Sequence, residues 1–188
     1  VSYISTAVEY GLHCLLYLVS SPGESVDAST RDLAELQGVS VEYLAKIFTK
    51  LHRAGLVAGS EGIGGGFALA RAPEKISVLD VIVAIDGKKS LFDCRNIRIG
   101  CAVFGSTAPR WATKGVCSIH AVMLEAEASM RTVLATRSLA DLVTRVAAKA
   151  PASFAIDIST WLGERSASRR GAGQKTPRGR KTPGSAVR

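Results

Sequence analysis

No stretch of this sequence approaches the ~18–20 consecutive apolar residues that a membrane-spanning helix needs, so the chain does not read as a helical membrane protein. Cysteine is scarce, with four residues in 188. The first apolar stretch has no basic n-region and is interrupted by Glu9 and His13, so it does not read as a secretory signal. A disulfide scaffold is therefore not expected, and a reducing cytoplasm is. Acidic residues are missing from the end of the chain: from Arg165 to Arg188 there are eight Lys and Arg and no Asp or Glu. That segment alone carries the net charge of +8, because the remaining 16 basic side chains are matched by all 16 acidic ones. The basic excess thus describes residues 164–188, a run rich in Arg, Gly, Ser, Lys and Pro that is expected to be a disordered tail. A nucleotide fingerprint is also lacking. The run Gly62-Ile63-Gly64-Gly65-Gly66 meets Phe67 where a dinucleotide motif needs glycine, and a strand-like run follows where that motif needs a helix. No Lys-Ser or Lys-Thr pair follows these glycines to make a phosphate loop.

What is present is ordinary globular composition, 47% hydrophobic and 21% charged, with strong helical periodicity. Residues 3–20 repeat Ile4, Ala7, Gly11, Cys14, Leu15 and Leu18 at helical spacing, with a polar stripe of Ser5, Glu9, His13 and Tyr17. Ser21-Pro22-Gly23 is expected to stop this helix. A short helix over 30–37 has Ser29 as N-cap with Asp32 three positions on, and Gly38 as its stop. A longer helix runs from Ser40 to about Ala54, with Tyr43, Leu44, Ile47, Phe48 and Leu51 as the buried face and Gly55 as its end. Leu56-Val57-Ala58 and Phe67-Ala68-Leu69 flank the glycine run as a hairpin. Ser77 to Asp80 opens another helix, which Gly87 stops. Residues 88–116 show no period. A long helix from about Val116 to Ala135 aligns Ile119, Val122, Met123, Ala126, Met130 and Val133, and Ser138 caps a last helix. The fold class is therefore mainly α with a small β-hairpin wing, a winged helix-turn-helix plus a long dimerisation helix. Its parts are a DNA-binding domain over 1–87, a cysteine-containing loop over 88–116, the two C-terminal helices over 117–163, and the tail.

Short helix, turn, second helix and glycine-tipped hairpin is the order of a winged helix-turn-helix. The second helix leaves Ser40, Glu42, Lys46, Lys50 and Arg53 for solvent, and its N-terminal N–H groups suit phosphate. Gly62, Gly64, Gly65 and Gly66 let the backbone approach DNA closely. The plain alternative is a helical hairpin followed by a tight turn.

Three runs make the resemblance specific: Gly38 to Leu44, Leu51-His52-Arg53-Ala54-Gly55-Leu56-Val57, and Gly62 to Phe67. With Ala7 to Leu12 and Ile76 to Ile82, the chain resembles the Rrf2 family of bacterial transcriptional regulators, the IscR/NsrR-like winged helix-turn-helix proteins, over residues 3–148. The resemblance implies a homodimer paired through the long helix, bound to a near-palindromic double-stranded DNA operator. Ser40, Glu42, Tyr43 and Lys46 become its groove-facing candidates. Two positions depart from the family: Glu61 stands where a basic wing residue is common, and Ala45 is too short to reach a base.

The resemblance also implies a sensor. Cys94, Cys101 and Cys117 fall where cluster-carrying members place three iron–sulfur ligands, with His120, or Glu9 or His13 supplied from the partner subunit, as candidate fourth ligand; the alternative for Glu9 and His13 is a hydrogen-bonded pair at a subunit contact. Fifteen residues separate Cys101 from Cys117, which departs from a compact cluster loop. Three readings stay open for these thiols: an iron–sulfur cluster responding to redox or nitric oxide status, a redox-active thiol set, and inert core residues. A small-molecule effector is a further alternative. Cys14 reads as a core side chain. An enzyme using Cys117 and His120 lacks an orienting third residue and an oxyanion loop, so no enzymatic activity is expected. A winged module that binds only protein is the other rival.

Overall fold

The computed structural model describes residues 3–21, 24–25, 27–59 and 65–172. Helix α1 (Thr6–Tyr17) buries Val8, Gly11, Cys14 and Leu15 along one stripe. The side chain of its Ser5 N-cap makes no capping bond to the helix. Instead the Ser5 N–H and hydroxyl donate to the two carboxylate oxygens of Asp86, at 2.9 and 2.5 Å. The chain leaves α1 after Tyr17 rather than near Ser21, because Val19–Ser21 pairs as β1 with β2 (Glu24–Ser25). Backbone pairing captures what the apolar pattern assigns to the helix end.

Helices α2 (Thr30–Gln37) and α3 (Val41–Arg53) form the helix-turn-helix. The Ser29 hydroxyl accepts from the Asp32 N–H, and Gly38 stops α2 at φ 65°, a left-handed conformation that disfavours a Cβ. Ser40 caps α3 by accepting from the Tyr43 N–H at 3.2 Å. Leu44, Ile47, Phe48 and Leu51 are buried at i, i+3, i+4 and i+7. The wing hairpin pairs β3 (Val57–Gly59) with β4 (Phe67–Leu69), with Ala58 opposite Ala68. Ala28 extends it by an antiparallel bridge to Phe67, closing two backbone hydrogen bonds of 3.1 and 2.8 Å. The wing is thereby tied to the start of α2.

Helix α4 (Val78–Asp86) opens on a full capping box, Ser77 with Asp80. It packs so closely on α1 that a Cβ on Gly11 would stand 2.5 Å from Ile85 Cδ1. The aperiodic stretch that follows holds 3₁₀ turns at Ile97–Gly100 and Ala102–Phe104 and a single helical turn, α5 (Arg110–Thr113). Helix α6 (Ser118–Ala135) lies against α4. Helix α7 (Leu139–Ala147) opens on a second capping box, Ser138 with Asp141. No helix among the described residues is long and apolar enough to cross a membrane.

The structure corrects the expectation of disorder from residue 164. Helix α8 (Ser153–Ala172) runs through that boundary, and residues 173–188 lie outside the described part. Its composition hides it, because only a few of its side chains meet the core. Leu162 is fully buried and Ile158 and Trp161 pack beside it. Arg165 lies 4.0 Å over the Trp161 ring and reaches Glu35 of α2 at 2.6 Å, and Arg169 pairs with the buried Asp32 of α2. Arg165 and Arg169 are thus structural members of the fold, and the basic excess available elsewhere is smaller by two.

Replacing Leu162 with Ala is expected to cost about 2–5 kcal/mol, the range for a buried leucine. Urea denaturation checks it, as a lower midpoint at unchanged slope. A variant within ~0.5 kcal/mol of the parent would mean that α8 does not pack in solution.

Candidate nucleic-acid interface and cysteine loop

Burying Leu44, Ile47, Phe48 and Leu51 turns the opposite side of α3 outward. Glu42, Lys46, Thr49 and Arg53 are all exposed there, at i, i+4, i+7 and i+11 on one stripe. Thr49 was not among the sequence candidates. Its hydroxyl donates to the Ala45 carbonyl at 2.8 Å, and its exposure follows from the same periodicity that singled out Lys46. Ser40 is exposed too, but its hydroxyl already serves as the helix cap. Tyr43 is expected to be buried by its place in the apolar pattern. It is 37% exposed, held edge-on against Tyr10 with ring centroids 5.7 Å apart.

Lys50 is placed differently. Its ammonium donates to the Ile85 carbonyl at 2.6 Å, so it caps the C-terminal end of α4, where a cation is favoured. Arg71 does the same for α3, donating to the Gly55 and Ala54 carbonyls at 3.0 Å each. These two cations stabilise helix ends, which removes Lys50 from the free charges of the exposed stripe.

On the wing, Gly65 and Gly66 are half-buried, and Gly62 and Gly64, with Glu61, lie outside the described residues. A Cβ on Gly66 would fall 2.7 Å from the Ala28 carbonyl carbon and oxygen. Gly66 is therefore required by a close backbone approach inside the wing. His52 is exposed and leans on Phe67, whose ring also contacts Phe48 at 5.1 Å, so the wing is seated on the back of α3.

The loop from 88 to 117 is folded by Arg98, whose guanidinium donates to Asn96 Oδ1 at 3.0 Å and to the Gly115 carbonyl at 2.6 Å. Phe104 meets Trp111 edge-on at 5.5 Å. The fifteen-residue separation is thus bridged, yet the donors do not converge. Cys101 is exposed, Cys94 and Cys117 are half-buried, and no three His, Cys, Asp or Glu side chains among the described residues are placed to hold one metal ion. Glu9 and His13 sit exposed on α1, and His120 rests against Phe92 at 6.0 Å. Within one chain Cys94, Cys101 and Cys117 are therefore not gathered around one point: each cysteine ends up on a separate piece of the insertion. Cys117 is the N-cap of α6. The backbone N–H groups of His120 and Ile119 hold its thiol below the ordinary 9.0, with the Arg98 guanidinium assisting against a small effect of burial. Burial pushes the Cys14 thiol the other way, up to about 12.

Comparison with known proteins agrees with this architecture. The family model described as "Rrf2: Iron-dependent Transcriptional regulator" matches residues 4–145. The protein named rrf2 of Nitratidesulfovibrio vulgaris is 33% identical over 140 residues, covering 74% of this chain and 86% of that protein. Among solved structures, IscR of T. potens superposes with a TM-score of 0.58 at 27% identity, over 80% of this chain and 93% of the other. CymR of B. subtilis, titled a global cysteine regulator, gives a TM-score of 0.60 over 77% of this chain and 98% of its own, at 23% identity that speaks for the fold alone.

Alkylation with iodoacetamide at pH 7.5 is expected to modify Cys117 at least about tenfold faster than Cys14, since the thiolate is the nucleophile. The Cys117 rate should rise with pH through a midpoint below 9.0, its ordinary value. Peptide mass mapping over time checks both, and equal rates would contradict the burial of Cys14.

Proposed function

This chain belongs to the Rrf2 family of DNA-binding transcriptional regulators, and from that premise we propose that it is a homodimer reading a duplex operator with α3 in the major groove and the wing alongside. The observation that carries the reading is the outward stripe of α3, Glu42, Lys46, Thr49 and Arg53, on a helix whose other side is locked into the core. Glu42 accepts from cytosine amino groups, while Lys46 and Thr49 suit base edges or phosphate. Tyr43 and the Ser40 end of the helix stand beside them, where N-terminal N–H groups favour phosphate. The body is formally neutral, so the contacts of this stripe carry specificity. The basic residues beyond Arg169 add salt-dependent attraction that is blind to sequence.

The pairing surface in this proposal is α6. None of its residues is buried, and Ile119, Val122, Ala126 and Val133 lie exposed at i, i+3, i+7 and i+14. That is the heptad seam on which two helices pack. A second copy covering it places two α3 helices on two half-sites, and operator symmetry follows from protein symmetry.

No step through iron is assigned, because the thiols do not form a ligand set. The specific observation on signalling favours a thiol: Cys117, with its lowered pKa, begins the pairing helix, so an electrophile or oxidant reacting there alters the start of α6. Any such signal acts on operator affinity only through its differential effect on the two conformations.

Fluorescence anisotropy with DNA from the chain's own upstream region tests the reading. Lys46→Ala is expected to weaken specific binding by about 1–3 kcal/mol. Unchanged affinity in Lys46→Ala and Thr49→Ala together would remove α3 from the groove. Val122→Glu is expected to convert the dimer to a folded monomer in sedimentation and to cost at least about tenfold in operator affinity. A Val122→Glu protein that stays dimeric would move the pairing face elsewhere.

A further inference from the structure

A cavity of about 240 Å³ opens between α1, α7 and α8, on lining residues that include none from α6. His13, Tyr17, Val143, Phe154, Ile158 and Ser159 form its walls. Four alanines, Ala147, Ala150, Ala152 and Ala155, line it where larger side chains would fill it. It is a groove open to solvent on one side, where Ala147, Ala152, Phe154 and Ala155 are exposed, so a guest that covers its apolar lining is favoured. Part of the wall, from Val146 to Ser159, lies beyond residues 4–145, the part that the family model matches.

The lining chooses the chemistry. It includes no Lys, Arg, Asp or Glu, which disfavours an ionic guest. Three groups can still hydrogen-bond: the His13 imidazole, the Tyr17 hydroxyl and the Ser159 hydroxyl, which donates to the Ile156 carbonyl at 2.9 Å and keeps lone pairs free to accept. The His13 and Tyr17 rings lie 6.4 Å apart and tilted, forming an aromatic wall. An apolar cavity of roughly 150 Å³ admits benzene, so this one takes a body of about two fused rings. We propose that the cavity between α1, α7 and α8 binds a small neutral aromatic molecule bearing one hydrogen-bonding group, and that its occupancy is felt by α2.

The route to α2 is short on both walls. Tyr17 neighbours the side chain of Gln37, the last residue of α2, closely enough for it to act on the phenol. Beyond Ser159, the same helix α8 carries Trp161, Arg165 and Arg169 onto Glu35 and Asp32 of α2. A guest that spreads or draws in α8 therefore changes how α2, and through it α3, is seated. The regulatory meaning of this coupling rests on the DNA-reading proposal above, whereas the binding itself does not.

The experiment uses the full chain and 2-naphthol as probe, followed by its fluorescence, with naphthalene as the apolar control. Saturable binding of one naphthol per chain is expected, with a melting temperature that rises with probe concentration. Ala155→Leu and, independently, Ala147→Leu should each weaken it at least about tenfold by filling the space, with far-UV circular dichroism unchanged. Ser159→Ala, which leaves the cavity shape intact, should narrow the preference for naphthol over naphthalene. Hydrogen exchange of α2 amides should change on binding. Absence of saturable binding, or binding that survives both leucine variants, overturns the site. Unaltered α2 exchange overturns the coupling. If a leucine variant does not fold, the other and Ser159→Ala decide. A chain that binds naphthol but no operator keeps the cavity and loses the DNA reading, so the two failures are distinguishable.

Discussion

Helix α3 is held by four side chains, Leu44, Ile47, Phe48 and Leu51, which meet α1, α4 and the wing at once. Burying each is worth about 1.5–3 kcal/mol, so the helix cannot rotate about its axis without losing more than a domain can spare. That constraint decides the chemistry of the outer side. The exposed stripe out of phase with the apolar one presents a carboxylate, an ammonium, a hydroxyl and a guanidinium. The wing depends on the same burial, because the Phe67 ring leans on Phe48 and the Ala28 bridge fixes Phe67 in turn.

The charges of the molecule divide into those consumed by the fold and those left over. Lys50 and Arg71 terminate helices, Arg98 closes the cysteine loop, and Arg165 and Arg169 fasten α8 to α2. Asp86 ties α1 to the end of α4. Burial pushes its carboxyl up, but hydrogen bonds from Ser5 and the nearby Lys89 together outweigh that and leave it lowered. A count of Lys and Arg therefore overstates the electrostatic footprint of this protein. In the proposed reader, specificity comes from the charges left on α3 and non-specific attraction from the basic residues beyond Arg169. Helix α8 adds a third feature: it joins the helix-turn-helix to a groove whose α8 wall lies beyond the residues that the family model matches.

Legibility in the sequence followed the physics of each element. Helices α2, α3, α4 and α7 are announced by Ser caps with Asp or backbone partners, and the first three also by glycine stops, all local devices. The wing strands are equally plain, because Phe67-Ala68-Leu69 follows a glycine run. Helix α8 was missed, since its anchors are Leu162, Trp161 and two arginines whose partners, Asp32 and Glu35, lie about 130 residues away. Tyr43 fits the apolar pattern but stays at the surface, because Tyr10 gives it an edge contact without covering it. The sequence leaves the three loop cysteines open between a cluster, a redox-active set and inert thiols, and in the fold they stand on separate turns. Spacing alone does not state how Arg98 folds the loop.

The amino-acid order on its own determined the helix-turn-helix and wing, the family, and which face of α3 is polar, because these rest on caps, turns and periodicity within a few residues. Tertiary structure alone decided that Lys50 serves α4, that Gly66 answers to Ala28, that three thiols stand apart and that an arginine-rich segment is a docked helix bordering a cavity. Each of those outcomes depends on groups far apart in the chain meeting in space, and only packing brings them together.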